Sequence, residues 1–498
     1  MALTPMNKDA LHLAASDIHF LYQPAECGLR VRLRHLGEPE AEPGPFEQLI
    51  FRLGERHEQA HLASFPEVLD LRQGSREERE RQTLEALQGD HPVLYRPVLR
   101  AVAALGGVRV EIVGEPDFLI REDPGHLLRD AKLARRIDQE AHPEILLQLQ
   151  LYGWLYEQVA GRPPVRLEIY SGNGEIVVIP YDGGKRALEV LERILALRLA
   201  KEEPYSPVGW SKCGGCGFRR RCWPRAEVLH DVALVVGVDQ GLAIALREEG
   251  IRSYDDLLRE FPEARLSEFK RPWGQRFHRV GKSAAGILRN AKSLASGREL
   301  VFCPLRLPHH PNFAMFDLEG LPPHLDDVEK IYLWGMQVFG ERPGEFRAAT
   351  GGFGEEGDRE GWEGFLKLAR GVFEAYGNIP FVHWASYEKT KIKIYMERFG
   401  DWEGVAQQVL HNLLDLLPIV RDSIALPLPS YSLKVVEEYV GFRRSQKENG
   451  GDWAIARYIE ATETEDAVRR DALMEKILAY NREDLEATWA VLQWLRQK

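Results

Sequence analysis

Cysteine is scarce in this sequence, with five residues in a chain of 498. So few cysteines, and an odd number of them, exclude a disulfide-rich secreted scaffold. Three of the five are nevertheless crowded into the segment KCGGCGFRRRC, residues 212–222. In a reducing compartment, clustered cysteines bind metal more often than they form disulfides. The composition therefore predicts a cytoplasmic protein with a metal or metal-cluster site.

Long apolar runs are also missing. The most apolar stretch, ILLQLQLYGWLYEQVA, is interrupted by Gln148, Gln150, Glu157 and Gln158, so we expect it to stay out of a bilayer and expect no membrane partner. The first twenty residues lack a basic region followed by an apolar core, so no signal peptide is expected. The sequence has no GxxxxGK[ST] motif, so unwinding of nucleic acid would need a helicase or a defence-system partner.

The chain has fewer basic than acidic residues, and its net charge is −11. Residues 261–300 depart from this, with nine Lys/Arg against three Glu. Such a patch is typical of a surface that binds a phosphate backbone, although a solvated helical face would give the same count. We expect DNA contacts from the following residues of this region and from the arginines beside the clustered cysteines: Lys270, Arg271, Arg276, Arg279, Lys282, Arg289, Arg219, Arg220 and Arg221.

Three regions differ in their predicted secondary structure. Residues 1–225 mix strand-like runs such as VRVEIVG with long helical patterns. Residues 226–300 predict short helices with glycine-containing turns and no strand, and residues 301–498 return to mixed α/β. We therefore expect an α/β multidomain protein whose central segment is all-α.

The first candidate catalytic centre lies between the runs VRVEIVG and HLLRDAK. The first run leads to Asp117, and the second, after a Pro-Gly turn, carries Asp130 and Lys132. We expect the two runs to form a hairpin that brings Asp117 to Asp130, with Lys132 on the same strand face as Asp130. Two carboxylates can hold Mg²⁺ or Mn²⁺, and an ammonium can position water or stabilise a phosphate, so the pattern indicates phosphodiester hydrolysis.

Three further side chains extend this candidate. His57 lies on a helical stretch, where it can supply a nitrogen ligand, and Gln148 and Tyr152 share one helix face. A helical His, an Asp after a glycine-containing strand, a (D/E)xK strand and a QxxxY helix, in this order, resemble the RecB-like branch of the PD-(D/E)XK nucleases. The resemblance covers residues 16–222 and implies a restriction-endonuclease-like core with catalytic roles for these positions.

The clustered cysteines need a fourth partner, because Cys213, Cys216 and Cys222 supply only three thiolates, and Cys27 is the best remaining candidate. Four thiolates can bind Zn²⁺ or an iron–sulfur cluster. One RecB-like subgroup, similar to the CRISPR adaptation exonucleases and the AddB nuclease subunit, carries a cysteine near the domain's start and CxxC…C at its end. This similarity implies a [4Fe–4S] cluster, with Zn²⁺ as the alternative. We expect Cys303 to be a small buried residue.

The central region contains two glycine turns that are each followed by a helical pattern, in residues 235–258 and 280–297. Both segments resemble helix–hairpin–helix motifs, whose backbone amides bind phosphate without reading sequence. A helical linker with ordinary turns is the alternative.

A second candidate catalytic centre is predicted near the C-terminal end. NFAMFDLEG places Asp317 and Glu319 on one strand face, and AYNREDLEAT places Tyr480 and Asp484 on one helix face. FVHWASYE is expected to end a strand at Glu388. Carboxylates from three elements can hold two divalent cations, while Tyr480 orients the attacking water.

The order DxE, a middle acid and YxxxD resembles the DEDDy-type exonucleases of the RNase H-like fold over residues 312–490. The resemblance implies 3′–5′ exonuclease activity for residues 301–498. Glu388 stands where that family usually has Asp, so a retained fold that binds without cutting is the alternative for this centre.

The sequence as a whole predicts a metal-dependent DNA nuclease that processes single strands or DNA ends in repair, recombination or defence. Two other functions are compatible with it. One is a non-catalytic scaffold built from degenerate nuclease folds, and the other is an RNA-processing exonuclease.

Overall fold

The computed structural model describes residues 12–274, 276–322, 325, 329–446 and 450–498. The chain forms two compact units. The first consists of residues up to Pro43, Glu47–Ser206 and Ser211–Arg220, and the second of Gly44–Phe46, Pro207–Trp210 and Arg221–Lys498. The predicted central and C-terminal regions both lie in the second unit, and their predicted boundary at residue 300 stays a prediction.

The first unit combines helices and short strands. Its helices are α1 (Ser16–Tyr22), α2 (Gly28–His35), α3 (Pro45–Leu62), α4 (Arg76–Ala86), α5 (Pro143–Ala160), α6 (Lys185–Leu199) and the start of α7 (Arg219–Val228). Its strands are β1 (His12–Ala14), β2 (Leu69–Asp70), β3 (Val93–Tyr95), β4 (Leu99–Leu105), β5 (Val108–Gly114), β6 (Phe118–Glu122), β7 (Gly125–Ala131), β8 (Leu167–Tyr170) and β9 (Ile176–Ile179).

Two sheets organise the described part of this unit. The larger has the strand order β2-β3-β6-β7-β8-β9, and the smaller has the order β1-β5-β4. The predicted hairpin partner of β7 was wrong: β5 pairs with β1 and β4, and the strand paired antiparallel with β7 is β6. The physical reason is the break after Gly114, where the chain leaves one sheet and enters the other. Leu119 and Leu128 pack beneath α5 in the core.

The second unit is also mixed. Its helices are α8 (Gln240–Glu248), α9 (Tyr254–Glu260), α10 (Glu263–Glu268), α11 (Ser283–Ser296), α12 (Gly354–Tyr376), α13 (Tyr387–Phe399), α14 (Val405–Asn412), α15 (Leu416–Ser423), α16 (Leu433–Tyr439), α17 (Gly451–Glu463) and α18 (Ala467–Leu495). Its strands are β10 (Lys270–Trp273), β11 (Arg276–Arg279), β12 (Leu300–Val301), β13 (Asn312–Leu321), β14 (Lys330–Gly340), β15 (Arg347–Thr350), β16 (Phe381–His383), β17 (Leu413–Asp415) and β18 (Ile424–Ala425).

The main sheet of this unit has the order β15-β14-β13-β16-β17 in the described residues, with β16 parallel to both of its neighbours. Strand β13 alternates between two cores. Ala314 and Phe316 pack in the core that contains residues of α12, whereas Phe313 and Met315 pack in the core that contains residues of α15 and α18. Because the side-chain period of a strand is two, Asp317 continues the face of Phe313 and Met315 toward α18.

The central segment is not all-α, because β10 and β11 form an antiparallel hairpin within it. The expectation of helices alone was wrong here. Residues 270–279 are charged and lack the apolar alternation that signals a half-buried strand, and both strands are only four residues long. A tight turn at Gly274, with φ of 58°, allows them to pair. No helix in the described part of the chain combines the length and apolar character that a membrane span needs.

Candidate active sites

Asp117 and Asp130 meet beside the β6–β7 hairpin, Asp117 just before β6 and Asp130 on β7. Both side chains are buried. The Asp117 amide donates to Oδ1 of Asp130 (3.2 Å), and the Ala131 amide donates to Oδ2 of Asp117 (2.8 Å). A backbone amide at or next to one aspartate therefore holds the carboxylate of the other.

Lys132 completes this group, with its Nζ 2.6 Å from Oδ2 of Asp130. Burial and the charge of Asp130 raise the pKa of Asp117 well above its usual value. Burial acts in the same direction on Asp130, but the Lys132 ammonium outweighs it, so the pKa of Asp130 falls. The buried pair thus favours a proton on Asp117, which a bound cation would displace.

Glu58 and Arg96 also belong to this site, and neither was predicted from the sequence. Arg96 Nε donates to Oε1 of Glu58 (2.8 Å), and Arg96 Nη2 lies 3.4 Å from Oδ1 of Asp117. Arg96 has a φ of 56°, a conformation that costs a non-glycine residue about 1–3 kcal/mol. The only signal in the sequence was the position of Glu58 directly after His57.

The structure brings His57 to Tyr170. His57 Nε2 lies 3.3 Å from the Tyr170 carbonyl oxygen, and the two rings stack with centroids 4.7 Å apart. Among the described residues, His57 belongs to no group of three candidate ligands whose ligand atoms lie within 4.8 Å of one another. Its role as a metal ligand stays a prediction.

Gln148 and Tyr152 lie on α5, one turn apart, as the sequence predicts. The Gln148 amide donates to the Tyr152 hydroxyl (2.9 Å). Burial raises the pKa of Tyr152 well above its usual value, and the charges of Asp130 and Asp117 raise it further. Gly114 makes this arrangement possible, because a Cβ there would lie 2.8 Å from the Tyr152 ring.

Asp317, Glu319 and Asp484 form the second group. One ligand oxygen of each lies within 4.8 Å of the other two, and no other such triad of His, Cys, Asp or Glu occurs in the described parts of the chain. Burial raises the pKa of Asp317 well above its usual range, with further contributions from Asp484 and Glu319. Burial and Asp484 raise the pKa of Glu319 to about 8. Crowded carboxylate oxygens are the donors that Mg²⁺ and Mn²⁺ prefer, so this donor set fits a divalent cation.

The last helix, α18, supplies two further side chains here. Burial raises the pKa of Asp484, and the Arg444 guanidinium opposes that shift, with a smaller contribution from a hydrogen bond of the Tyr480 hydroxyl. Asn481 Nδ2 donates to Oδ2 of Asp317 (2.7 Å). Asn481 packs so closely on Gly335 that a Cβ there would lie 1.7 Å from its Oδ1. The helical spacing of the sequence predicts Tyr480 but gives no signal for Asn481.

Two cations lie inside this acidic group and were also missed. Arg444 Nε and Nη2 donate to the two oxygens of Glu437 (2.6 and 2.8 Å), and Nη2 also donates to Oδ1 of Asp484. Lys434 lies 5.1 Å from the Tyr480 ring centroid. Burial lowers the pKa of Lys434, although Asp484 opposes this. The protein therefore partly neutralises its own carboxylates.

Glu388 lies in the first turn of α13 and not at the end of a strand, so the expected location was wrong. The strand β16 ends at His383 because the chain turns at Ala385, whose φ is 74°. His383 Nδ1 lies 3.0 Å from Oε2 of Glu388, and both residues are buried. The charge of Glu388 contributes to the raised pKa of Asp317, but Glu388 is not part of the triad.

Three of the four predicted cluster ligands, Cys27, Cys213 and Cys216, lie in the first unit. Burial raises the pKa of the Cys216 thiol, and Cys27 and Cys213 raise it further. Their sulfurs do not all lie within 4.8 Å of one another, on a search of the described residues, whereas Zn–S bonds of about 2.3 Å would bring them to about 4 Å apart. Cys222 lies on α7. The four-cysteine site stays a prediction, and the expected burial of Cys303 was wrong, because Cys303 is exposed.

The predicted DNA-binding residues fall on three elements. Lys270, Arg271, Arg276 and Arg279 lie on the β10–β11 hairpin, Lys282 directly precedes α11, and Arg289 lies on α11 with its guanidinium 4.0 Å from the Phe302 ring centroid. Arg219, Arg220 and Arg221 form the first turn of α7. The helix–hairpin–helix motifs and the DNA contacts stay predictions.

Comparison with known proteins assigns both ends of the chain. Residues 11–223 match the PD-(D/E)XK nuclease superfamily, and residues 314–496 match the RNase H superfamily. The chain is therefore a mixed α/β multidomain protein with an N-terminal PD-(D/E)XK nuclease-like domain and a C-terminal RNase H-like domain. No curated protein matches it.

Two solved structures are similar to parts of the chain. SSO0001 is 18% identical, with a TM-score of 0.20, over 35% of this chain and 96% of that chain. A structure named "Putative exonuclease", from Eubacterium rectale, is 15% identical, with a TM-score of 0.26, over 41% of this chain and 89% of that chain. Likenesses this weak do not bear on function.

Proposed function

We propose that this chain, which joins two domains of nuclease superfamilies, is a metal-dependent deoxyribonuclease with two separate hydrolytic centres. The observation that carries the proposal is the triad of Asp317, Glu319 and Asp484, the first half-buried and the other two buried, whose ligand oxygens lie within 4.8 Å of one another. Burying like charges together is costly unless a cation compensates them. The paired aspartates of the first domain support a second centre by the same reasoning.

In the first centre, Asp117 and Asp130 would hold Mg²⁺ or Mn²⁺. With an ion bound there, a water would be activated and charge on the phosphate would be neutralised. Lys132, placed 2.6 Å from Asp130, would donate to the phosphate or to the water. Tyr152 and Gln148 line the buried side of the site. Tyr152 is itself buried, and the charges of both aspartates act on its hydroxyl.

In the second centre, Asp317, Glu319 and Asp484 would hold the metal. Tyr480 contacts Asp484 and can orient the attacking water with its hydroxyl. Asn481 keeps Asp317 in position. Glu388, hydrogen-bonded to His383, can accept a proton from that water, because burial raises its pKa above the usual range. These roles correspond to a 3′–5′ exonuclease of the DEDDy type.

The proposal includes a [4Fe–4S] cluster bound by Cys213, Cys216, Cys222 and Cys27, with Zn²⁺ as the alternative. Sequence spacing supports this set. We expect the substrate to be single-stranded DNA or DNA ends in repair, recombination or defence, in a cytoplasmic setting.

The test is a cleavage assay on end-labelled single-stranded DNA with Mn²⁺, run beside RNA of the same sequence. Asp130→Asn and Asp484→Asn should each remove one set of products, and the double variant should remove both. Asp471→Asn, at a position whose side chain is 79% exposed, is the matched control. Wild-type cleavage by the double variant would overturn the proposal. Cleavage of RNA alone would replace it with the RNA-processing alternative.

A further inference from the structure

The β10–β11 hairpin exposes two large aromatic side chains. Trp273 is 56% exposed and Phe277 is 75% exposed. A single exposed aromatic needs no explanation, but two exposed aromatic side chains on a hairpin of eight paired residues are unusual for a folded protein.

The register of the hairpin places these rings on opposite faces. Trp273 pairs with Arg276 and Pro272 pairs with Phe277, and directly paired residues share a face. The Arg271 guanidinium lies 4.4 Å from the Trp273 ring centroid. On the other face, Phe277 is two residues from Arg279, so each ring has a cation beside it.

The base of the hairpin is fixed to the rest of the second unit. Arg271 Nη1 lies 2.7 Å from Oδ2 of Asp239. Helix α8 approaches β10 so closely that a Cβ on Gly241 would lie 2.7 Å from the Pro272 carbonyl oxygen. The Val280 amide donates to the Phe269 carbonyl (2.9 Å) and closes the strand ends. The exposed rings are therefore presented by an anchored element.

The charge of the hairpin indicates which class of ligand it binds. Residues 270–279 contain four Lys/Arg and no Asp or Glu, in a chain whose net charge is −11. Cations interleaved with exposed aromatic rings match unpaired nucleic acid, because phosphates pair with the cations while free bases stack on the rings. A duplex offers the same phosphates, but its bases are already stacked on one another.

We propose that the β10–β11 hairpin binds single-stranded nucleic acid, with bases stacked on Trp273 and Phe277 and phosphates held by Lys270 and Arg276. Arg279 is already paired with Glu268, 2.7 Å away. This inference rests on the proposed nuclease function, and it adds a means of selecting unpaired strands. It requires no contact with either catalytic centre.

The test measures binding of a labelled single-stranded oligonucleotide and of its duplex by fluorescence anisotropy. The full chain carries Asp130→Asn and Asp484→Asn to prevent cleavage. Adding Trp273→Ala and Phe277→Ala should weaken single-strand binding about tenfold or more and leave duplex binding nearly unchanged. Phe51→Ala, at a residue that is 61% exposed in the first unit, is the matched control and should change neither.

A second measurement separates stacking from charge. An oligonucleotide containing 2-aminopurine should lose fluorescence on binding, and the aromatic variant should lack this quenching. Lys270→Ala should weaken binding to both substrates and reduce its salt dependence. Unchanged single-strand affinity in the aromatic variant, or an equal loss for duplex, would overturn the inference. If the unaltered chain cleaves DNA but shows no preference for single strands over duplex, only the hairpin's role is refuted. If it prefers single strands but cleaves nothing, only the nuclease proposal is refuted.

Discussion

Replacing Arg444 with methionine should strengthen metal binding at the second centre while weakening the fold. Arg444 joins Glu437 to Asp484, and Asp484 belongs to the triad that would hold the cation. A metal that takes the Asp484 oxygen must displace the guanidinium from it. Removing Arg444 removes that competition.

The magnitude follows from the bonds involved. A hydrogen bond to a charged group contributes about 1.5–3 kcal/mol, and each 1.4 kcal/mol corresponds to about tenfold in affinity. The Mn²⁺ affinity should therefore rise about 10- to 100-fold. Glu437, 2% exposed, loses both of its bonds to Arg444, so the free energy of unfolding of the metal-free protein should fall by about 1–3 kcal/mol.

The assay is calorimetric titration with Mn²⁺ in an Asp130→Asn background, so that the first centre contributes little. Thermal unfolding gives the change in stability. Arg443→Met is the matched control, because Arg443 donates to backbone carbonyls of Glu438 and Phe442. An Mn²⁺ affinity that is unchanged or weaker in Arg444→Met would refute the competition between guanidinium and metal.

Three other predictions address the two centres separately. Gly335→Ala should drive Asn481 away from Asp317, because a Cβ at position 335 would lie 1.7 Å from Oδ1 of Asn481. In an Asp130→Asn background, cleavage by the second centre should then be at least about tenfold slower. An unchanged rate would contradict this. Gly114→Ala should displace Tyr152 and slow cleavage by the first centre, which is measured in an Asp484→Asn background. An unchanged cleavage rate would contradict the role assigned to Tyr152. Because the pKa of Glu319 is raised to about 8, its carboxyl holds a proton more tightly in the folded chain than in the unfolded one. The metal-free protein should therefore lose stability as pH rises from about 4.5 to 8. Over the same range the Mn²⁺ affinity should rise with pH, and it should level off above about 8. A Mn²⁺ affinity that does not depend on pH between about 6 and 9 would contradict this.

Residues fixed by short-range periodicity could be predicted from the sequence. Asp317 and Glu319 follow from the two-residue period of a strand, and Tyr480 and Asp484 from the spacing of one helix turn. The structure brings Asp317, Glu319 and Asp484 together from these two elements. The same reasoning placed Gln148 and Tyr152 together on α5.

Residues whose roles depend on distant partners could not be predicted in this way. Arg96 reaches Glu58 across 38 positions, and Asn481 reaches Asp317 across 164. No local pattern encodes such pairs, because they follow from the way in which strands and helices pack. The hairpin partner of β7 was mistaken for a related reason: the chain changes sheets at Gly114, and pattern alone does not reveal which strands pair.

Anomalous scattering from crystals of the full chain soaked in Mn²⁺ would show whether two separate sets of carboxylates bind divalent cations. We expect one peak between Asp117 and Asp130 and at least one among Asp317, Glu319 and Asp484. Absence of manganese from both places in well-occupied crystals would contradict this expectation.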